Sequence, residues 1–279
     1  MRLSLAYLGA LCMIPSVFAD ADFSQVRLNQ DVDMSRRAGL PAEKYFFEST
    51  FSMHYDGRFA AHALNYTEQT KALRDLVRSY LMTFQSLGIE TWLMHGTLLG
   101  WWWNKQILPW DSDLDVQVTE SSMFYLAAYY NMTYHRYRRI GGGRHYLLEV
   151  NPNYVVRDQS DMYNLIDARW IDTVSGLFID ITAVRYNLTH PQGEGMLGSK
   201  DGHEYRDTYL YPLRETKFEG VKAKIPYKFR DFLVGEYGGK ALSNTEYNYH
   251  IFDEEKMQWV RKNPDEEGEP WVERKQQGS

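Results

Sequence analysis

Apolar residues recur at two different spacings along this chain of 279 residues. Between residues 67 and 88 they recur every three or four positions, which predicts an amphipathic helix. Between 114 and 119 they alternate with polar residues, which predicts a strand with one face in the core. A longer apolar run at 177–184 contains one charged residue, Asp180, and predicts a buried strand.

Weaker patterns complete the prediction of a mixed α+β domain. They indicate strands at 89–94 and 145–150 and helices at 97–103, 123–130 and 227–237. The chain is 44% hydrophobic and 15% aromatic, which is enough for a substantial core. We expect a single domain at 67–252, preceded by an arm at 20–66 that packs on its surface. A charged segment without apolar periodicity follows at 253–279 and is expected to be a disordered tail.

The first residues predict entry into the secretory pathway. Residues 1–19 combine an early basic residue, a short apolar run and a Val-x-Ala end, which is typical of a cleaved signal peptide. An uncleaved anchor is the alternative. The only cysteine, Cys12, lies in this segment, so the mature protein would have no disulfide or thiolate metal site. Glycosylation sequons at Asn65, Asn131 and Asn187 agree with passage through the ER and Golgi lumen or secretion.

The charge of the chain argues against a nucleic-acid partner. The full sequence contains 31 basic and 37 acidic residues, and its net charge is −6. Removal of residues 1–19 would take away Arg2 alone among the charged residues and leave the mature chain more acidic. Proteins that bind nucleic acid normally carry a basic surface.

Three aspartates, Asp111, Asp113 and Asp115, lead into the predicted strand at 114–119. Residues two apart on a strand lie roughly 6.5 Å apart and share a face, so neighbouring acids can hold a divalent ion. A fourth acid, Asp180, lies in a predicted buried strand, where an unpaired carboxylate is costly. If the two strands are neighbours, the acids converge on a site of oxygen ligands that suits Mg²⁺ or Mn²⁺.

The acids also allow other interpretations. Asp180 could instead form an ion pair with Arg169 or Arg185. A calcium-binding loop is excluded because Val116 and Ser122 stand where it requires glycine and glutamate. The Asp-x-Asp motif of a glycosyltransferase fits less well because the strand follows the acids. A solvated acidic face remains open in an acidic protein.

The nucleotidyltransferase layout fits the pattern best. It places a Gly-Thr turn that opens a helix opposite an acidic strand, with another acid on a neighbouring strand. Gly96 and Thr97 supply the turn, whose N–H groups would bind phosphate. Metal ions held by the acids would bridge the donor phosphate and the nucleophile. Two of the three aspartates before or in the strand would hold the metal. Asp113 is one of them, and the other is either Asp111 or Asp115.

Cationic and aromatic residues offer further candidates for substrate binding. Arg144, beside a glycine turn, could hold a diphosphate or an anionic acceptor, although a solvated hairpin explains it equally well. Arg169 is a weaker candidate for the same role. Within the tryptophan run at 101–103, Trp102 could stack on a base or a sugar, although such residues are usually core. His95 could act as a base, but a buried, hydrogen-bonded histidine is the favoured interpretation.

Three motifs together resemble the LicD family: 95–100, 109–115 and 178–181. This family includes bacterial phosphocholine transferases, fukutin and the fukutin-related protein, and fungal proteins of mannosylphosphate transfer. The tryptophan run and the segment 168–176 resemble the fungal branch most. The resemblance extends over about residues 40 to 250.

The resemblance implies a nucleotidyltransferase-like fold with a mixed sheet and helices on its faces. It implies transfer of a phosphosugar from a nucleotide-activated donor, GDP-mannose or a CDP-linked sugar, onto a glycan. Asp113, Asp115 and Asp180 are expected to hold Mg²⁺ or Mn²⁺, and Asp111 to assist them. Two alternatives stay open: a non-catalytic partner of a glycosyltransferase, and a Mn²⁺-dependent glycosyltransferase that releases nucleoside diphosphate.

Overall fold

The computed structural model describes residues 33–140, 142–157 and 160–262. Its helices are α1 (Tyr66–Ser86), α2 (His95–Asn104), α3 (Glu120–Tyr129), α4 (Asp207–Leu210) and α5 (Phe229–Tyr237). Its strands are β1 (Thr91–Leu93), β2 (Leu114–Thr119), β3 (Thr133–Arg136), β4 (His145–Val150), β5 (Ala168–Asp172), β6 (Phe178–Tyr186), β7 (Met196–Gly198), β8 (Glu204–Arg206), β9 (Arg214–Phe218), β10 (Val221–Ile225), β11 (Glu246–Tyr247), β12 (His250–Asp253) and β13 (Gln258–Arg261).

A mixed sheet forms the centre of the molecule. Its strands follow the order β1-β2-β6-β5-β4-β3, and β7 and β8 extend it from β6. The β2 and β6 strands are parallel, whereas the other pairs in this order are antiparallel. Helices flank the sheet, so the prediction of a single α+β domain with a nucleotidyltransferase-like architecture is confirmed.

The main core lies between one face of the sheet and α1. The side chain of Asn65 accepts the N–H of Glu68 at 2.9 Å and so begins the helix. The apolar positions that predicted α1 are buried and pack on the sheet, with Tyr80 and Phe84 against Trp170. The period of 3.6 residues therefore identified the buried stripe of this helix correctly.

The opposite face of the sheet carries charged side chains, which the arm covers. The strand register aligns Asp115, Asp180, Arg169 and Glu149 in one row across four strands. Arg58, from the arm, forms an ion pair with Glu149. The described part of the arm, residues 33–66, therefore lies on this face, where Arg58 pairs with a buried charge of the sheet.

The structure differs from the expected tail at 253–262. These residues complete β12 and form β13, and Phe252 and Trp259 are buried with Leu108. Two aromatic residues at a strand pair provide enough apolar surface for a small core, although the surrounding sequence is charged. The remainder of the predicted tail and the predicted signal peptide lie outside the described residues. Within the described residues, no helix has the length and hydrophobicity that crossing a membrane requires.

His135 makes the fold sensitive to acid. It is buried on β3 beside Trp170, and burial lowers its pKa to about 4. Because the unfolded chain binds this proton near pH 6.5, the neutral histidine stabilises the fold above pH 6.5, and roughly 3 kcal/mol is lost as the pH falls towards 4. His135→Gln should reduce the change in unfolding free energy between pH 6.5 and pH 4, measured by urea unfolding. The same substitution at the exposed His62 should leave that change as it is in the wild type. Equal pH dependence in wild type and His135→Gln would contradict this account.

Candidate active site

The four predicted acids lie at the start of two neighbouring parallel strands. The register of β2 and β6 places Asp115 directly opposite Asp180. Asp113 immediately precedes β2, and the N–H of Asp113 donates to Asp111 Oδ1 at 3.1 Å. The strand that carries Asp115 and the strand that carries Asp180 are therefore neighbours in the sheet, as the sequence suggested.

The Gly-Thr turn contacts these acids directly. A Cβ atom added at Gly96 would lie 2.7 Å from Asp111 Oδ2, so only glycine permits this approach. The Thr97 hydroxyl accepts the N–H of Asp115 at 2.9 Å. The N-terminus of α2 thus lies against the acidic run, where its partial positive charge favours negative groups.

Burial dominates the electrostatics of the acidic residues. It raises the pKa of Asp111 to about 7 and the pKa of Asp180 to about 6. Burial and the neighbouring charge of Asp113 raise the pKa of Asp115. For Asp113, burial acts in the same direction, but the hydrogen bond and charge of His54 outweigh it and lower the pKa.

The donor atoms of this site fit a divalent cation of the Mg²⁺ or Mn²⁺ type. Asp111 Oδ2 is buried and has no hydrogen-bond partner among the described residues, although such an atom normally has one. The surrounding donors are carboxylate oxygens, which hard cations prefer. The residues present therefore suit the ion that the sequence predicted.

Arg169 also pairs with Asp180. Its Nε donates to Asp180 Oδ1 at 2.7 Å, and its Nη2 lies 3.0 Å from Glu48 Oε1. The guanidinium group is stacked between Phe46 and Phe178, and the residue is only 3% exposed. Burial and two carboxylates hold this side chain in the protein interior, and its role in substrate binding stays a prediction.

Two other predicted substrate-binding residues also have structural partners. Arg144 forms an ion pair with Asp172, which is fully buried at the far end of β5. Trp102 Nε1 donates to the carbonyl of Leu242 at 3.1 Å, and its ring packs beside Phe229. These contacts give both side chains a structural role, and their part in substrate binding stays a prediction.

A histidine cluster beside the acids escaped the sequence analysis. His95 Nδ1 lies 2.8 Å from Glu236 Oε1, and the His95 and His203 rings are 4.5 Å apart. Burial opposes protonation of His95, but hydrogen bonds to Asp201 and Glu236 outweigh it and raise the pKa to about 10. Asp115 contributes in the same direction. No motif or spacing connects residues that are more than 100 positions apart, so only the fold reveals the cluster.

Comparison with known proteins agrees with this geometry. Residues 88–228 match the family model described as "LicD/FKTN/FKRP, nucleotidyltransferase domain". The chain belongs to the LicD family. The matched segment contains α2, β2 and β6, and therefore all four acids. The resemblance proposed from the three motifs is thus confirmed.

Three relatives of this LicD protein are informative. Mannosyltransferase regulator 4 of Saccharomyces cerevisiae is 30% identical over 76% of this chain and 18% of its own length. Mannosyltransferase regulator 14 of the same yeast is 30% identical over 80% of this chain and 23% of its own. Ribitol 5-phosphate transferase FKRP of Mus musculus is 25% identical over 63% of this chain and 33% of its own length. The chain therefore spans about a fifth to a third of the length of the curated relatives it matches.

Proposed function

We propose that this LicD protein is a metal-dependent phosphotransferase of the secretory pathway that acts on glycans. It would transfer a phosphosugar from a nucleotide-activated donor to a glycan hydroxyl group. The observation that carries the proposal is the alignment of Asp115 with Asp180 on parallel strands, with the start of α2 held against the same acids. The match to a nucleotidyltransferase domain supports it.

The residues of the chain suit distinct parts of this reaction. Asp113, Asp115 and Asp180 would hold Mg²⁺ or Mn²⁺, and Asp111 would assist. When bound, the ion supplies positive charge that stabilises the transferred phosphoryl group. The backbone N–H groups at the start of α2 would orient the donor phosphate.

The proposed reaction balances without a further reactant. The glycan oxygen bonds to the phosphorus that carries the sugar, and the bond from that phosphorus to the bridging oxygen breaks. Nucleoside monophosphate leaves, and a site carboxylate accepts the proton of the hydroxyl group. A glycosyltransferase would release nucleoside diphosphate instead, so the released nucleotide distinguishes the two reactions.

GDP-mannose is the proposed donor, and mannose phosphate the transferred group. Two relatives that are 30% identical are named mannosyltransferase regulators, whereas the ribitol 5-phosphate transferase is 25% identical. The tryptophan run and the segment 168–176 support placement near the fungal branch. The predicted signal peptide and the three sequons support a location in the ER or Golgi lumen, or secretion.

A regulatory role is the second candidate, and one contact favours it. Arg169 Nε donates a hydrogen bond to Asp180 Oδ1, so the side chain of Asp180 already has a cationic partner without any metal. The two yeast relatives are named regulators of a mannosyltransferase. In this case the chain would bind a glycan or a partner glycosyltransferase and would not turn over the donor.

The released nucleotide provides the test. Purified protein is incubated with Mn²⁺, an oligosaccharide acceptor, and either GDP-mannose or a CDP-linked donor, and the nucleotides are separated by chromatography. GMP production that requires acceptor and Mn²⁺ supports phosphosugar transfer. Release of GDP favours a glycosyltransferase, and donor binding without turnover favours the regulatory role.

Gly96→Ala should damage the site while preserving the fold. The new Cβ would lie 2.7 Å from Asp111 Oδ2 and would push this carboxylate away from α2. We expect Mn²⁺ affinity, measured by isothermal titration calorimetry, to fall about 10-fold and unfolding free energy by about 1–3 kcal/mol. The matched control is Gly235→Ala on α5, where a Cβ meets no atom within 4 Å. Unchanged Mn²⁺ affinity in Gly96→Ala would contradict the role of Asp111.

A further inference from the structure

Four side chains from three parts of the chain meet beside the acidic site. His95 is the first residue of α2, Asp201 and His203 lie in the loop before β8, and Glu236 lies near the end of α5. One ligand atom from each of His95, His203 and Glu236 lies within 4.8 Å of the others. None of these residues belongs to the carboxylate group on β2 and β6.

Ring nitrogens of both histidines lie beside carboxylates. His203 Nδ1 is buried and lies 3.1 Å from Asp201 Oδ1. The two ring nitrogens of His95 face different carboxylates: Nδ1 is 2.8 Å from Glu236 and Nε2 is 3.6 Å from Asp201. Two imidazoles and two carboxylates therefore surround one small volume.

We propose that His95, His203 and Glu236 bind a transition-metal ion of the Zn²⁺ type. Imidazole nitrogen is a preferred ligand of Zn²⁺, whereas Mg²⁺ and Ca²⁺ prefer oxygen, so this site differs in chemistry from the acidic one. Asp201 either completes a tetrahedral set or accepts a hydrogen bond from a ligating histidine.

The side chains have the freedom that ion binding requires. Ligand atoms around a tetrahedral Zn²⁺ lie roughly 3.4 Å apart, so separations of up to 4.8 Å must close by at most about 1.4 Å. The His203 side chain is 43% exposed and the Glu236 side chain 25% exposed, so both can rotate without disturbing the core. His95 is more enclosed, and it therefore provides the fixed point of the site.

The surroundings of His95 match those of a metal-binding histidine. Such a residue usually donates its second ring N–H to a carboxylate, which fixes the ring and strengthens the ligand. Whichever ring nitrogen of His95 binds the ion, the other faces Glu236 or Asp201. A simple ion-pair cluster between protonated His95 and these carboxylates is the rival interpretation, and metal binding distinguishes the two.

Co²⁺ is a suitable probe because tetrahedral Co²⁺ absorbs strongly in visible light and octahedral Co²⁺ only weakly. The full chain, without a histidine tag and stripped of metals by a chelator, is titrated with Co²⁺ in excess Mg²⁺, which competes for the oxygen ligands. We expect one Co²⁺ per chain with intense visible absorption that Zn²⁺ abolishes. His203→Ala and Glu236→Gln should each weaken Co²⁺ binding at least about 100-fold.

The control is His190→Ala, which removes a histidine that pairs with Glu204 outside the cluster and should leave Co²⁺ binding unchanged. Weak absorption in the wild type, or equal affinity in His203→Ala, would overturn the proposal and leave an ion-pair cluster. Thermal melting of each variant checks the fold. Because the readout is Co²⁺ binding, absence of phosphosugar transfer would leave this inference standing, and absence of Co²⁺ binding would leave the proposed function standing.

Discussion

Asp113→Asn is expected to reduce phosphosugar transfer about 1000-fold and to leave the fold intact. Asparagine has the same shape but lacks the negative charge that would hold the divalent ion. A loss of about 4 kcal/mol in transition-state stabilisation, typical of a disrupted metal site, corresponds to this factor. The Asp113 side chain is 46% exposed and its ion pair with His54 spans 3.7 Å, so the substitution should cost little stability. The measurement is acceptor-dependent GMP release under saturating Mn²⁺.

The matched control is Asp231→Asn, which makes the same chemical change at an exposed position of α5. Both variants should melt within a few degrees of the wild type, and only Asp113→Asn should lose activity. Full activity of a folded Asp113→Asn would contradict the proposed mechanism. Loss of Mn²⁺ binding together with loss of activity would assign the effect to the ion rather than to donor binding.

The elements around the acids could be predicted because their signals are local. The alternation at 114–119 and the apolar run around Asp180 each specify a strand from a few consecutive residues. Two strands with apolar sequences are natural neighbours at the centre of a sheet, and the structure pairs them in register at Asp115 and Asp180. Gly96, close to the start of α2, likewise indicated the turn at this point of the chain.

The partner of Asp180 could not be predicted in the same way. Arg169 and Arg185 are both candidates by sequence, because each lies within 11 residues of Asp180. The antiparallel register of β5 and β6 decides between them: it places Arg169 opposite Asp180, whereas Arg185 pairs with Asp167. Strand register depends on long-range packing, so spacing along the chain does not contain this information.

The partners of the tryptophan run could not be predicted because they lie far along the chain. Trp103 packs on Phe252 and Trp259, which lie on β12 and β13. The indoles of Trp102 and Trp103 donate to backbone carbonyls just before β11. Leu242 and Phe229, the partners of Trp102, are more than 100 positions away from it, so the sequence left both a core position and stacking on a sugar or base open.

Arg169→Met is expected to have the largest effect on stability, a loss of about 3–5 kcal/mol in unfolding free energy. The substitution keeps an apolar side chain between Phe46 and Phe178 but removes the charge that neutralises Asp180 and Glu48. Buried carboxylates without a counter-ion are costly. The matched control, Arg157→Met, breaks an exposed pair with Glu120 and should cost at most about 1 kcal/mol. Urea unfolding measures both, and a loss below about 1 kcal/mol for Arg169→Met would contradict the prediction.

The same variant distinguishes the two roles proposed for Asp180. If Asp180 belongs to a metal site, Mn²⁺ replaces the missing charge beside Asp115, and saturating Mn²⁺ stabilises Arg169→Met more than it stabilises the wild type. If Asp180 serves the structure alone, Mn²⁺ stabilises both proteins equally, and the loss persists. Asp180→Asn in the Arg169→Met background removes the uncompensated charge and should recover part of the stability in either case. The dependence on Mn²⁺, rather than the size of the loss, therefore separates a catalytic acid from a structural ion pair.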